Sequence, residues 1–308
     1  MALLLLTQAS CQSLTSHSGT QGQPTSVSLV RYAQLPNMNI FTENLHSEDI
    51  DQYYILTRDD EYRKDTKQTI ERIWKYLISS NLIGDDLEKF VKDAQRNFQG
   101  AIWQLELTYI LNQKFKLLTP KSIGPDIIID NGSEKIVIDC VASNISGINK
   151  VNRNYGQVEY LDQDKRKLRV LESISKKYDT YKKWIEKGIV EPINKFIIAI
   201  DTSSIPDSDL VGYPHANLIE TVLFGYGKHV FVYNHETGNF TTQYRKQKEI
   251  IKENGSSVAT NIFEDENYVN ISAIIWKNTN FLSEHSLTGN NIFLYKNPIA
   301  KEILSLEL

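Results

Sequence analysis

The stretch 127–142 constrains the fold more than any other part of the chain. Two β-branched runs, Ile127-Ile128-Ile129 and Lys135-Ile136-Val137-Ile138-Asp139-Cys140-Val141-Ala142, are joined by Asp130-Asn131-Gly132-Ser133. Asn-Gly between such runs is the strongest short-range hairpin signal, because both residues tolerate the positive φ that a tight reversal needs. Side chains alternate across a strand, so Val137, Asp139 and Val141 share one face while Ile136, Ile138 and Cys140 share the other. Cys140 is therefore read as core. Asp126, at the head of the hairpin, brings a second carboxylate to the end of the sheet where Asp139 lies.

Helical periodicity surrounds this hairpin. Ile70, Ile73, Trp74, Leu77 and Ile78 recur at three- and four-residue spacings within 48–97, with Lys, Arg and Glu between them. A helix expected over 98–113 sets Trp103, Glu106 and Ile110 on one face. After a polar loop at 143–162 comes a long helix, about 164–187, closed by Gly188. On it Arg169, Ser173 and Lys177 are four apart and stack as one polar stripe, with Ile174, Tyr178, Tyr181 and Ile185 on an apolar side. The wholly apolar run 196–200 reads as a buried central strand. A helix at 216–223 and strands at 228–233, 271–276 and 292–295 follow, and 240–267 reads as charged and irregular. Helix, hairpin, helix and strand in this order give an α/β fold, a central mixed β-sheet flanked by helices, behind a helical N-terminal preface. The expected division is a flexible tail over 1–46, rich in Gln, Ser, Thr and Gly at 7–28, a preface over 47–97, and an α/β domain with a C-terminal strand extension over 98–308.

Composition bears chiefly on partners and compartment. The 308 residues carry a net charge of −4, so no global basic field draws the chain to nucleic acid, and any such contact must be local. Cys11 and Cys140 stand far apart in unlike settings, which argues against a disulfide framework and fits a reducing cytoplasm. Four leucines without a preceding basic residue are too short for a signal core, although Gln8-Ala9-Ser10-Cys11 faintly resembles a lipoprotein cleavage site. No apolar run reaches the ~20 residues needed to span a bilayer, so no membrane partner is expected.

Pro125-Asp126, twelve intervening residues and then Asp139-Cys140-Val141, with Glu106 on the preceding helix, resemble the PD-(D/E)xK signature of the restriction-endonuclease-like nuclease superfamily. The likeness covers about 95–205. It implies a restriction-endonuclease-like core in which Asp126, Asp139 and Glu106 bind Mg²⁺ or Mn²⁺ and hydrolyse phosphodiester bonds, with DNA as the expected nucleic-acid partner and bacterial defence or repair as the setting. Paired carboxylates suit such a hard cation, which can acidify a water for in-line attack on phosphorus. The departure is Val141, which stands where the motif has its lysine. Either a lysine from another element serves, Lys177 being the candidate on a stripe with Arg169 and Ser173 as substrate contacts, or the fold has become a non-catalytic binding module. Each residue also has a structural reading: Asp126 as a turn cap, Glu106 reaching out of its helix or pairing with an arginine, Asp139 on an exposed strand face, and the stripe as a solvated helix face.

Other chemistries find no support in spacing. The six histidines lack zinc spacing, Gly225-Tyr226-Gly227-Lys228 is not a phosphate loop, and there is no Gly-x-Ser-x-Gly elbow. The sequence leaves the oligomeric state open.

Overall fold

The hairpin forms where the sequence places it. In a computed structural model describing residues 38–45, 49–144, 162–206, 208, 216–281 and 291–307, β1 (Leu117–Leu118), β2 (Ile127–Asp130) and β3 (Lys135–Ala142) form an antiparallel meander. Gly132 takes φ +84° in the turn, and Asn131 Oδ1 accepts from the Ser133 and Glu134 amides. β3 then pairs in parallel with β4 (Lys195–Asp201), which pairs in parallel with β9 (Ile271–Lys277), and β10 (Ile292–Lys296) closes the far edge antiparallel. The result is a mixed six-stranded sheet of order β1-β2-β3-β4-β9-β10. Parallel strands need both faces covered, and β9 buries all seven of its residues and β4 six of seven, Lys195 being half-buried.

Helices supply the two covers. α4 (Phe98–Asn112) lays Trp103, Leu107 and Leu111 on Ile136, Ile138, Cys140, Ile197, Ala199 and Ile275. The opposite face takes α5 (Gln163–Glu186) and α6 (Leu218–Leu223), whose Ile174, Tyr181 and Ile219 pack with Val137, Phe196, Ile198 and Trp276. α5 ends at Gly188, φ +66°, in the left-handed conformation that lets a chain leave a helix. Burying each large side chain in these layers is worth roughly 1.5–3 kcal/mol.

The preface is three helices, α1 (Gln52–Asp59), α2 (Lys64–Ser79) and α3 (Leu87–Arg96). Their apolar stripes, Ile70, Ile73, Trp74 and Leu77 among them, pack on Phe98, Ile102 and Leu105 of α4. Preface and sheet therefore belong to one unit, 38–308, where a separate segment ending at 97 was expected.

Two expectations need correcting. Residues 38–45 are not tail: Ile40 is fully buried, the Tyr54 hydroxyl donates to Ile40 O, Trp74 Nε1–H donates to Met38 O and the Phe41 amide donates to Glu71 Oε1. Three apolar residues, Met38, Ile40 and Phe41, suffice to dock this segment; 1–37, like 46–48, lie outside the described residues. The region 240–267 is not irregular, for β6 (Phe240–Lys246) pairs with β5 (Tyr226–Tyr233), and β7 (Glu249–Ile251) pairs with β8 (Ser257–Ala259). β5 and β6 pair with little buried face, and β7 buries only Ile250, so no sustained apolar alternation marks these strands. No helix among the described residues is long and apolar enough to cross a membrane.

Candidate functional site

The two acids of the hairpin meet. Register runs Ile127 opposite Ile138, so the next pair outward is Asp126 opposite Asp139, with both side chains on one face. Asp126 is half-buried, and its Oδ2 accepts from the Cys140 amide at 2.8 Å. Its side chain thus fastens the hairpin mouth, a structural task that leaves its other oxygen uncommitted to that bond. Asp139 lies inside, 2 % exposed; the reading that put it on an exposed strand face does not hold. Like charges directly opposite are unfavourable, and burial together with the Asp126 carboxylate pushes the Asp139 carboxyl well above its usual range.

A cation answers this charge from α5. Lys177 Nζ donates to Asp139 Oδ1 at 2.6 Å. Burial disfavours its ammonium, but Asp139 and Asp126 outweigh burial and its pKa is raised. The rest of the stripe runs along the end of β3: Ser143 Oγ donates to Ser173 Oγ at 2.9 Å, and Arg169 Nε donates to Asn144 O at 3.3 Å, with further bonds to Asn144 Oδ1 and Glu172. The stripe is not a solvated face. Ser143 and Asn144, which receive it, went unremarked in the sequence, although a Ser-Asn pair directly after an apolar strand is a visible signal. Val141 is half-buried against the α5-side core.

Asp139 Oδ2 is buried and has no hydrogen-bond partner. Two facing carboxylates can satisfy such an oxygen through a proton, a cation or a water held between them, but not through each other when both are ionised.

Glu106 does not join this pair. It is 3 % exposed on the opposite face of the sheet, where Lys277 of β9 bonds its Oε2 and Asp201 lies near. The reason is the α4 packing: the face that carries Trp103 onto Ala199 O, through Nε1–H at 3.0 Å, also carries Glu106 toward the ends of β4 and β9. Its partner is thus a lysine, and it neither snorkels outward nor pairs with an arginine. Burial raises its carboxyl to about 7 despite Lys277. Asp201, likewise raised by burial, accepts from Gln99 Nε2 and from the Ser203 amide.

No known protein family, curated protein or solved structure matches this chain. A fold of this class hosts many functions, so only the chemistry of the site bears on this one. Among the described residues no group of three or more His, Cys, Asp or Glu side chains could hold a metal ion, so the three-acid set expected from the sequence reduces to Asp126 and Asp139. Of the histidines, 229 and 235 are described; 17, 46, 215 and 285 are not.

Proposed function

We propose that this chain is a divalent-metal-dependent phosphodiesterase acting on DNA, with Asp126 and Asp139 as its carboxylate pair and Lys177 in place of the motif lysine. One observation carries the reading: Lys177 Nζ stands 2.6 Å from Asp139 Oδ1, so a lysine from the next helix reaches the acid whose own strand offers Val141.

The unpartnered Asp139 Oδ2 supports a cation at the pair. Mg²⁺ commonly uses one or two carboxylates, several waters and substrate phosphate oxygens, a demand that Asp126 and Asp139 meet without a third acid. A bound Mg²⁺ or Mn²⁺ supplies charge neutralisation at the phosphate and an acidified water. Lys177, kept charged by its neighbours, stabilises charge developing on the phosphate oxygens. Arg169 and Ser173 extend the same polar line from α5 and would position the substrate backbone.

A second reading has its own support. Lys177 neutralises Asp139 and the Cys140 amide occupies Asp126 Oδ2, so the same contacts would hold together a nuclease fold that only binds.

The test is cleavage of plasmid and labelled oligonucleotide DNA with Mg²⁺ or Mn²⁺ by wild type, Lys177→Met and Val141→Lys. Cleavage by wild type that is lost in Lys177→Met supports the proposal. Cleavage that survives in Lys177→Met excludes the displaced lysine. An inactive wild type, with or without a gain in Val141→Lys, favours the binding module.

A further inference from the structure

The β5–β6 ribbon is the least packed element of the described chain: every residue from 231 to 243 is exposed. Register sets His229 opposite Tyr244, Phe231 opposite Thr242 and Tyr233 opposite Phe240, so five rings share one face. They pack in two groups along that face, His229 centred 5.6 Å from Phe231 and 5.2 Å from Tyr244, and Tyr233 4.8 Å from Phe240. Yet Phe231 and Phe240 remain 68 % and 69 % exposed. Scattered surface rings are ordinary, whereas a contiguous aromatic face marks a binding surface.

The root of the ribbon is basic. Lys228, Arg245 and Lys246 line a groove against the start of α5, where Arg166 and Lys167 face them, and Asp162 and Asp164 are the acids of that groove. Lys167 pairs with Asp164 and is bonded to Gln247, and Lys246 pairs with Glu264. In a chain of net charge −4 the local field that suits a polyanion therefore comes from the exposed Lys228 and Arg245.

By strand alternation Lys228 and Arg245 lie at the root on the face opposite the rings. A polyanion that uses both must therefore cross the ribbon edge, and this pairing of rings with cations selects among polyanions. A duplex offers side chains only base edges and phosphates, whereas a single strand also offers base faces that stack on rings. We infer that the β5–β6 ribbon is an arm for single-stranded nucleic acid that crosses the ribbon edge, with bases stacking on Phe231 and Phe240 on one face and backbone phosphates meeting Lys228 and Arg245 at its root on the other. The inference rests on the reading that the chain acts on nucleic acid, and it names the form of substrate that the arm presents.

Binding is measured by fluorescence anisotropy with a labelled twenty-nucleotide oligothymidylate and with a duplex of equal length. EDTA is present throughout, so cleavage plays no part. Wild type is expected to bind the single strand more tightly than the duplex. Phe231→Ser/Phe240→Ser should weaken single-strand binding about tenfold or more without moving Tm, since neither ring is buried. Lys228→Ala/Arg245→Ala should lower the dependence of log K on log salt by about 1.4, at roughly 0.7 for each phosphate that is no longer neutralised. No binding by wild type, or unchanged binding by the phenylalanine variant, overturns the arm. So does a wild-type dimer that the phenylalanine variant converts to a monomer with DNA binding intact, because the face would then serve a second copy of the chain. Binding in EDTA by a chain that never cleaves keeps the arm and removes the phosphodiesterase; cleavage without ribbon-dependent binding does the reverse.

Discussion

Glu106 of α4 and Lys277 of β9 are 171 positions apart in sequence and share a buried ion pair on the sheet face away from Asp139. Lys277 Nζ also lies 5.7 Å from the ring centres of both Trp103 and Phe281. Removing one member of a buried pair strands the other charge, at a cost of about 3–5 kcal/mol. Lys277→Met should therefore be destabilised on that order by urea denaturation at pH 8, and part of the loss should return at pH 5, where Glu106 and the neighbouring Asp201, which also faces Lys277, can take up protons. An unchanged midpoint at pH 8 would show that the pair contributes nothing net.

Wild-type stability should also depend on pH through Glu106. Its folded pKa, about 7, is raised above the ordinary 4.5, so folded Glu106 holds its proton more tightly than the unfolded chain does. The contribution is fully present below pH 4.5, declines as pH rises and is lost above 7, amounting to on the order of 3 kcal/mol. Asp139 and Asp201, also raised by burial, act in the same direction. Thermal melts should fall between pH 5 and 8, and Glu106→Gln should flatten part of that slope. A melting temperature that rises over this range contradicts the sign.

Metal binding gives a readout independent of catalysis. Millimolar Mn²⁺ should raise the melting temperature of wild type, because a ligand that binds only the folded state stabilises it. Asp126→Ala and Asp139→Asn should lose that rise. If Asp139→Asn keeps it in full, the carboxylate pair is not where the ion binds.

Cys140, 7 % exposed and with its thiol pushed well up by burial, should resist iodoacetamide in the native protein and react on unfolding. Mass spectrometry of the peptide containing it separates its signal from that of Cys11. Rapid native labelling would mean that β3 opens locally on the labelling timescale.

The contrast between the two acid clusters shows what sequence periodicity carries. Strand alternation set Asp139 and Val141 apart from Cys140, and helical spacing aligned Lys177 with Ser173 and Arg169, because each rule acts within one element. The site of Glu106 was not legible in this way. Its helix is buried nearly all round, with Leu105, Glu106, Leu107 and Thr108 buried in succession, so no polar face announces which neighbour an acid meets. The partner is the last residue of a strand far along the chain, and nothing local to Lys277 points to α4. The ribbon strand Phe240–Lys246 escaped for the opposite reason: with no buried side it has no alternation to read.

Pairing β4 with β9, and Glu106 with Lys277, has a consequence for the order of assembly. During synthesis the hairpin and α5 emerge together, and Lys177 can reach Asp139 while the chain is still short. Glu106, made earlier than either, must wait for almost the whole chain before its counter-charge appears. Until β9 docks, one face of the nascent sheet carries an acid without its lysine and β4 keeps an open edge, so a chain interrupted before residue 271 would be a target for chaperones and proteases.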